Sequence, residues 1–316
     1  MMRLSLLRYG AVAIVTFACA VLSACSDASS SQSEQGAAAP NSGASPPRLA
    51  VLSPSLGLIV ADLGLTDRIV ARHGYDKFLP QSIPVAGDQA GIDYERLLKA
   101  KPTHVLLEWG SRTLPVRLTR LAVEKGWQVR SFRVLSIGDV RVATRAIADL
   151  LGDDATQQAA TSALRDLDEA LAPDARVAQA LGRTLILYFT DPIGAAGPDA
   201  AISQVVTALG ATLALSDAAS FVTLDREDLL ALDPDSILLL APGADAQQAR
   251  ENPLSFLGDL ASLPLRAVRS GRVGVVTNRT ARSASAQLRD VAREIREIAE
   301  RMGRAKPHPQ DAASTG

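Results

Sequence analysis

The chain has 316 residues, 47% of them hydrophobic, and its 33 Lys and Arg against 34 Asp and Glu give a formal net charge of −1. That length holds one large domain or two ordinary ones, each able to bury a core. The near-neutral balance excludes the basic footprint of a nucleic-acid binder, a mean hydropathy of +0.11 excludes a polytopic membrane protein, and the two cysteines, Cys19 and Cys25, leave nothing downstream for a disulfide framework or a thiolate metal site.

Arg3 and Arg8 precede an almost wholly apolar run from Tyr9 to Leu22. The run has the length of a signal-peptide core and is short for a membrane span. It ends in Leu22-Ser23-Ala24-Cys25, which resembles the bacterial lipobox. Residues 1–24 are therefore expected to be a removed lipoprotein signal and Cys25 the lipidated first residue of the mature chain. Loss of Arg3 and Arg8, the charged residues of that segment, moves the net charge from −1 to −3. Residues 25–47, rich in Ser, Ala, Gly, Gln and Pro, cannot bury a core and read as a flexible tether. The protein is then expected in the cell envelope, on the extracytoplasmic side, anchored to a membrane.

The body of the chain alternates strands and helices. Arg48–Ser53 reads as a strand broken by Pro54, with Ser55 as cap of a helix through Leu63. A strand at Arg68–Ala71, a helix at Tyr94–Ala100 capped by Asp93, a strand at Thr103–Leu107, a helix at Leu114–Lys125 and a strand at Gln128–Arg133 follow. Between Val134 and Arg183 only helical periods are evident, at Gly138–Leu151 and Asp154–Leu171. Alternation then resumes with strands at Thr184–Phe189, Thr212–Leu215, Ser236–Leu240 and Val273–Thr277, and helices at Ala200–Leu209, Arg226–Leu232 and Ser283–Met302. Such alternation predicts parallel pairing in α/β sheets.

An internal repeat divides this body. Glu95-Arg-Leu-Leu-Lys-Ala-Lys-Pro-Thr-His-Val-Leu-Leu and Glu227-Asp-Leu-Leu-Ala-Leu-Asp-Pro-Asp-Ser-Ile-Leu-Leu share one pattern, Glu-x-Leu-Leu-x-x-x-Pro-x-x-Val/Ile-Leu-Leu. The expected architecture is two α/β lobes, at 48–153 and 181–302, joined by a bridging helix over 154–180, with a polar tail at 303–316. A cleft between the lobes is where a ligand belongs. Trp109 lies just past the C-terminal end of a strand, where open α/β sheets bind ligands, although it also suits a plug for its own lobe's core. Asp88, in Gly87-Asp-Gln-Ala-Gly91, is a lip residue able to bond polar ligand groups.

Catalytic signatures are missing: there is no Gly-x-Ser-x-Gly elbow, Walker A loop or Gly-x-Gly-x-x-Gly fingerprint. The chain is expected to be no enzyme and to hold no cofactor of its own. Three histidines, His73, His104 and His308, are too few for a metal site built from both lobes.

The ordered motifs Arg48-Leu-Ala-Val-Leu-Ser-Pro54, Leu63-Gly-Leu-Thr-Asp-Arg-Ile-Val70, Pro84-Val-Ala-Gly-Asp88 and the two Glu-led repeats resemble the helical-backbone (class III) periplasmic substrate-binding proteins. These serve ABC importers for vitamin B12, haem and ferric siderophores. The resemblance spans residues 48–300 and implies two Rossmann-like lobes bridged by one long helix that permits only modest closure. The B12-binding pattern fits best within the family. It implies Tyr75, Trp109 and Phe221 as pocket aromatics and Asn278 and Arg282 as polar ligand contacts, with Gln89 standing where a further Trp is usual. His73, beside Tyr75, would touch a corrinoid face, and either residue suits haem iron. Glu95 and Glu227 would dock on arginines of a dimeric permease that works with separate ATPase subunits, although a first-turn Glu is favoured by the helix dipole alone. The expected function is a monomeric, lipid-anchored carrier of a corrinoid. The alternatives are a haem or ferric-siderophore carrier, or a structural envelope lipoprotein.

Overall fold

The computed structural model describes residues 46–304 apart from Ser111, Gly152 and Ala218. The signal segment, Cys25, nearly all of the tether, and the tail with His308 lie outside the described residues.

The first half runs β1 (Leu49–Leu52), α1 (Pro54–Asp62), β2 (Ile69–His73), β3 (Val85–Asp88), β4 (Gly91–Ile92), α2 (Tyr94–Ala100), β5 (His104–Glu108), α3 (Val116–Lys125) and β6 (Gln128–Phe132). Three helices follow, α4 (Ile137–Leu151), α5 (Asp154–Ala170) and α6 (Ala175–Leu181). The second half runs β7 (Arg183–Thr190), β8 (Ile193–Ala196), α7 (Ala201–Ala208), β9 (Thr212–Leu213), β10 (Phe221–Leu224), α8 (Arg226–Leu232), β11 (Ser236–Leu240), α9 (Ala246–Glu251), α10 (Arg266–Arg269), β12 (Val273–Val276) and α11 (Leu288–Arg304).

Among the described residues the strands form two sheets, ordered β4-β3-β2-β1-β5-β6 and β10-β8-β7-β11-β12, with β9 beside β7. In the first, β1 pairs in parallel with both β2 and β5. In the second, β7 pairs in parallel with β11 and antiparallel with β8. The central strands Leu49–Leu52 and Ser236–Leu240 are buried throughout, as strands covered on both faces must be.

Several expected boundaries shift for identifiable reasons. Ser53, not Ser55, caps α1: its hydroxyl accepts the Leu56 backbone N–H at 3.3 Å, and Pro54 opens the helix. Proline suits that position because the N–H it lacks would have no partner there. The segment expected as a single bridging helix over 154–180 carries two helices, α5 and α6, parted by a turn holding Pro173, with Asp174 capping the second. The last helix begins at Leu288 rather than Ser283, and it takes in Gly303 and Arg304, expected in the tail.

One apolar core runs from Leu49 and Val51 of β1 through α1, α4 and α5 to Ile186 of β7, Leu238 of β11 and the buried face of α11. It therefore belongs to both sheets, and each sheet has a second, separate core on its outer face. Polar contacts tie the halves as well. The Ile137 backbone N–H donates to Gln204 Oε1 at 2.9 Å, and Gln287 Nε2 donates to the buried Asp62 at 3.2 Å. Burial pushes the Asp62 carboxyl up against the pull of Arg289. A shared core of this extent resists large hinge motion, because close-packed interiors shift between discrete arrangements rather than deform.

Candidate functional site

The C-terminal ends of β1 and β5 lie side by side at the point where the chain, having built the sheet outward through β2 and β3, returns to the other side of β1. Such a reversal opens a crevice. Ser53 and Glu108 sit there, and the Ser53 hydroxyl donates to Glu108 Oε2 at 2.8 Å. Burial raises the Glu108 carboxyl above its ordinary value, and Asp139 adds to the rise, while Ser53 and the Val134 backbone N–H pull it back.

The loop after β2 carries Tyr75, whose side chain is 59% exposed. Its shape is set from inside. Arg72 is buried and donates to the carbonyls of His73, Asp76 and Ile83 and to Gln81 Oε1, at 2.8–3.1 Å. Asp76, fully buried, accepts the N–H groups of Phe78 and Leu79. His73 Nδ1 accepts the Tyr75 N–H at 3.2 Å, and the rings lie 5.8 Å apart. Burial lowers the basicity of His73, opposed by Asp88 and Asp76. A neutral ring accepting at Nδ1 carries its proton on Nε2, so His73 in this arrangement offers no lone pair to a metal. Asp88 holds its own turn through Ala90 N–H, with Gln89 at the tip. Trp109 donates Nε1–H to the Thr113 carbonyl at 3.0 Å, packs partly on the outer core, and has the Arg112 guanidinium over its ring at 4.3 Å. His73, Asp88, Gln89, Glu108, Trp109 and Arg112 line one cavity of about 340 Å³.

The second half presents a cluster of rings. Tyr188 and Phe189, at the end of β7, have ring centroids 6.3 Å apart, and Phe221, opening β10, lies 6.0 Å from Tyr188. Phe189 and Phe221 are about half exposed. Gly194 on β8 permits this: a Cβ there would stand 2.9 Å from the Phe221 ring and 3.0 Å from that of Phe189. Arg282 donates to the carbonyls of Tyr188 and Leu240, at the ends of β7 and β11, and its guanidinium stands 4.7 Å from the Phe189 ring. Burial lowers the Arg282 basicity and raises the Tyr188 phenol.

A cavity of about 190 Å³ joins the halves, lined by Ser55, Glu108 and Leu135 from the first and Tyr188, Ser220 and Arg282 from the second. Glu108 also borders the larger cavity, so it is common to both. Tyr75, Asn278 and Phe221 do not line these cavities. Asn278 spends its side-chain oxygen on the N–H and hydroxyl of Thr280, at 2.9 and 2.8 Å, and so shapes the turn before Arg282.

Sequence reasoning missed Glu108, Arg112, Tyr188 and Phe189. The strand-end reasoning that singled out Trp109 applies equally to Tyr188 and Phe189. Glu95 and Glu227 stand in the first turns of α2 and α8, both exposed.

Comparison with known proteins bears on this geometry. The sequence profile of the family described as periplasmic binding protein matches residues 49–280. The chain belongs to this family. Its members are ligand carriers rather than enzymes, and they work outside the cytoplasm with ABC permeases and ATPases. Solved structures of similar fold include the periplasmic vitamin B12-binding protein BtuF of Vibrio cholerae, at 17% identity, covering 82% of this chain and 98% of that one with a TM-score of 0.63. The periplasmic haem-binding protein RhuT of Roseiflexus sp. RS-1 matches at 18% identity, 82% and 100% coverage and a TM-score of 0.62. The siderophore-binding protein FhuD of Vibrio cholerae, bound to Fe3+-Desferal, matches at 18% identity, 83% and 100% coverage and a TM-score of 0.61. No curated protein matches the sequence. Among the described residues no helix is long and apolar enough to cross a membrane.

Proposed function

We propose that this protein is the lipid-anchored, monomeric substrate-binding protein of an ABC importer and that it carries a corrinoid in the cleft between its lobes. The observation that carries the reading is the placing of a ring from each half on the two cavities that share Glu108 at the strand ends: Trp109 lines one and Tyr188 the other, with Phe189 and Phe221 clustered beside Tyr188. Tyr75 stands exposed on the loop after His73, at the rim of the first half. Flat apolar rings cover a macrocycle, and a few polar groups fix its orientation. Arg282 and Asp88 supply such groups.

Haem is the second reading, and Tyr75 favours it. Its exposed phenol is available as an axial oxygen ligand, whereas His73 has given its lone pair to the Tyr75 backbone. A ferric siderophore shares the same cleft chemistry.

Calorimetric titration of the purified protein with cyanocobalamin, haemin and ferric desferrioxamine separates these readings. Cyanocobalamin is expected to bind one-to-one and to raise the melting temperature. Trp109→Ala and Tyr75→Ala are each expected to weaken it about tenfold, the loss of one ring's contact. Unchanged affinity in both variants removes this pocket. A haemin spectral shift lost in Tyr75→Ala moves the protein to haem.

The anchor rests on Leu22-Ser23-Ala24-Cys25. Cells fed radioactive fatty acid are expected to label the wild-type protein and not Cys25→Ala; label persisting in the variant overturns the anchor.

A further inference from the structure

Glu108 is the one acidic side chain shared by both cavities, at the floor of the crevice. Ser53 fixes one of its oxygens at 2.8 Å, and the other charge acting on it is the like charge of Asp139. Arg282 faces the same cavity, but its Nη2 is committed to the carbonyls of Tyr188 and Leu240. Among the described residues Glu108 forms no ion pair, so the floor offers an acceptor without a bonded cation beside a partly spent donor.

A ligand edge meeting this floor is sorted by its charge. A primary amide gives N–H to the carboxylate and its carbonyl oxygen to the remaining N–H groups of Arg282. A carboxylate edge brings a second negative charge against Glu108 in a site partly withdrawn from water, where like charges repel more strongly than in bulk solvent. We propose that Glu108 is a specificity-determining residue, selecting macrocycles edged with neutral amides and rejecting those edged with carboxylates. The inference rests on the corrinoid reading of the cleft and deepens it. A corrinoid carries amide side chains, and haem carries two propionates.

The test is a ratio of affinities. Cyanocobalamin and haemin are titrated separately into the wild-type protein, Glu108→Gln and Ser53→Ala, with a melting curve for each to establish folding. Glutamine keeps the size and an acceptor oxygen while removing the charge. Glu108→Gln is expected to lower cyanocobalamin affinity no more than about threefold and to raise haemin affinity about tenfold. Ser53→Ala keeps the charge and is expected to leave the ratio of the two affinities within about twofold, even where loss of the helix cap lowers the melting temperature. A purely supporting role for Glu108 would instead weaken both ligands together. If the wild type prefers cyanocobalamin and the ratio is the same in Glu108→Gln, the inference falls and the corrinoid reading stands. If the wild type binds neither probe, or prefers haemin, the corrinoid reading falls and takes the inference with it.

Discussion

Replacing Arg72 with Met is expected to loosen the Tyr75 loop and to cost the protein about 3 kcal/mol. The side chain is buried, and it satisfies three backbone carbonyls and the Gln81 side chain across eleven residues of chain. Methionine fills the volume but donates nothing, so the Ile83 carbonyl loses the guanidinium donor where water has little access, and the carbonyls of His73 and Asp76 are left with the Asp76 N–H and Gln81 Nε2 alone. Asp76 compounds the loss, because its Oδ2 already lacks a hydrogen-bond partner. In a protein of this size the cost corresponds to a fall of roughly 6–12 °C in melting temperature. Arg72→Lys is expected to recover little, since a point charge cannot reach four acceptors spread around a planar fork. Thermal melts measure the stability change, and the titration of cyanocobalamin shows whether the loop's order is needed for the site. A melting temperature within 2 °C of wild type, to be judged against roughly 2–4 °C per kcal/mol, would mean that the loop holds its shape without Arg72.

The two-lobe α/β plan was legible because its buried strands are unbroken apolar runs, Leu49-Ala-Val-Leu52 and Ile237-Leu-Leu-Leu240, separated by helical periods. Among the strands that escaped detection are β3, Val85-Ala-Gly-Asp88, and β8, Ile193-Gly-Ala-Ala196. Small residues give them little intrinsic strand preference, and each exists because a neighbouring strand supplies its hydrogen bonds. β8 shows what the small residues are for: Gly194 leaves the space that the Phe189 and Phe221 rings occupy. The candidate site was legible in part for a similar reason. Trp109 and Arg282 announced themselves by type and by their place after strands. Glu108 did not, because a single charged residue ending an apolar strand looks like a boundary. Only the return of the chain beside β1 brings it against Ser53 and into the lining of the cavity that Arg282 shares. Asn278 came only from the resemblance, and its side-chain oxygen is bound within its own turn.

The Glu-led repeat carries the second large prediction. In both copies a seven-residue helix begins at an Asp cap, Asp93 or Asp225, whose side chain accepts the N–H three residues on. Both helices end in a left-handed residue, Lys101 at φ 48° and Asp233 at φ 36°, immediately before Pro102 and Pro234. The cap bond fixes the first turn, so Glu95 and Glu227 are presented on rigid supports of the same geometry, one in each half. Among the described residues neither forms an ion pair. Two free carboxylates on matched supports are what a two-fold symmetric permease can recognise with one arginine cluster on each subunit. We propose that Glu95 and Glu227 make that contact. Reversing both, Glu95→Lys with Glu227→Lys, puts like charges against those arginines at both ends of the docked protein. Transport of the cargo into cells is expected to fall more than about tenfold. Ligand affinity and melting temperature should stay near wild type, because both side chains face solvent and neither lines the cleft cavities. Each single reversal leaves one half docked and should fall between the two. Uptake at the wild-type rate in the double variant would reduce the two glutamates to what the helix dipole alone explains, acidic residues placed in a first turn.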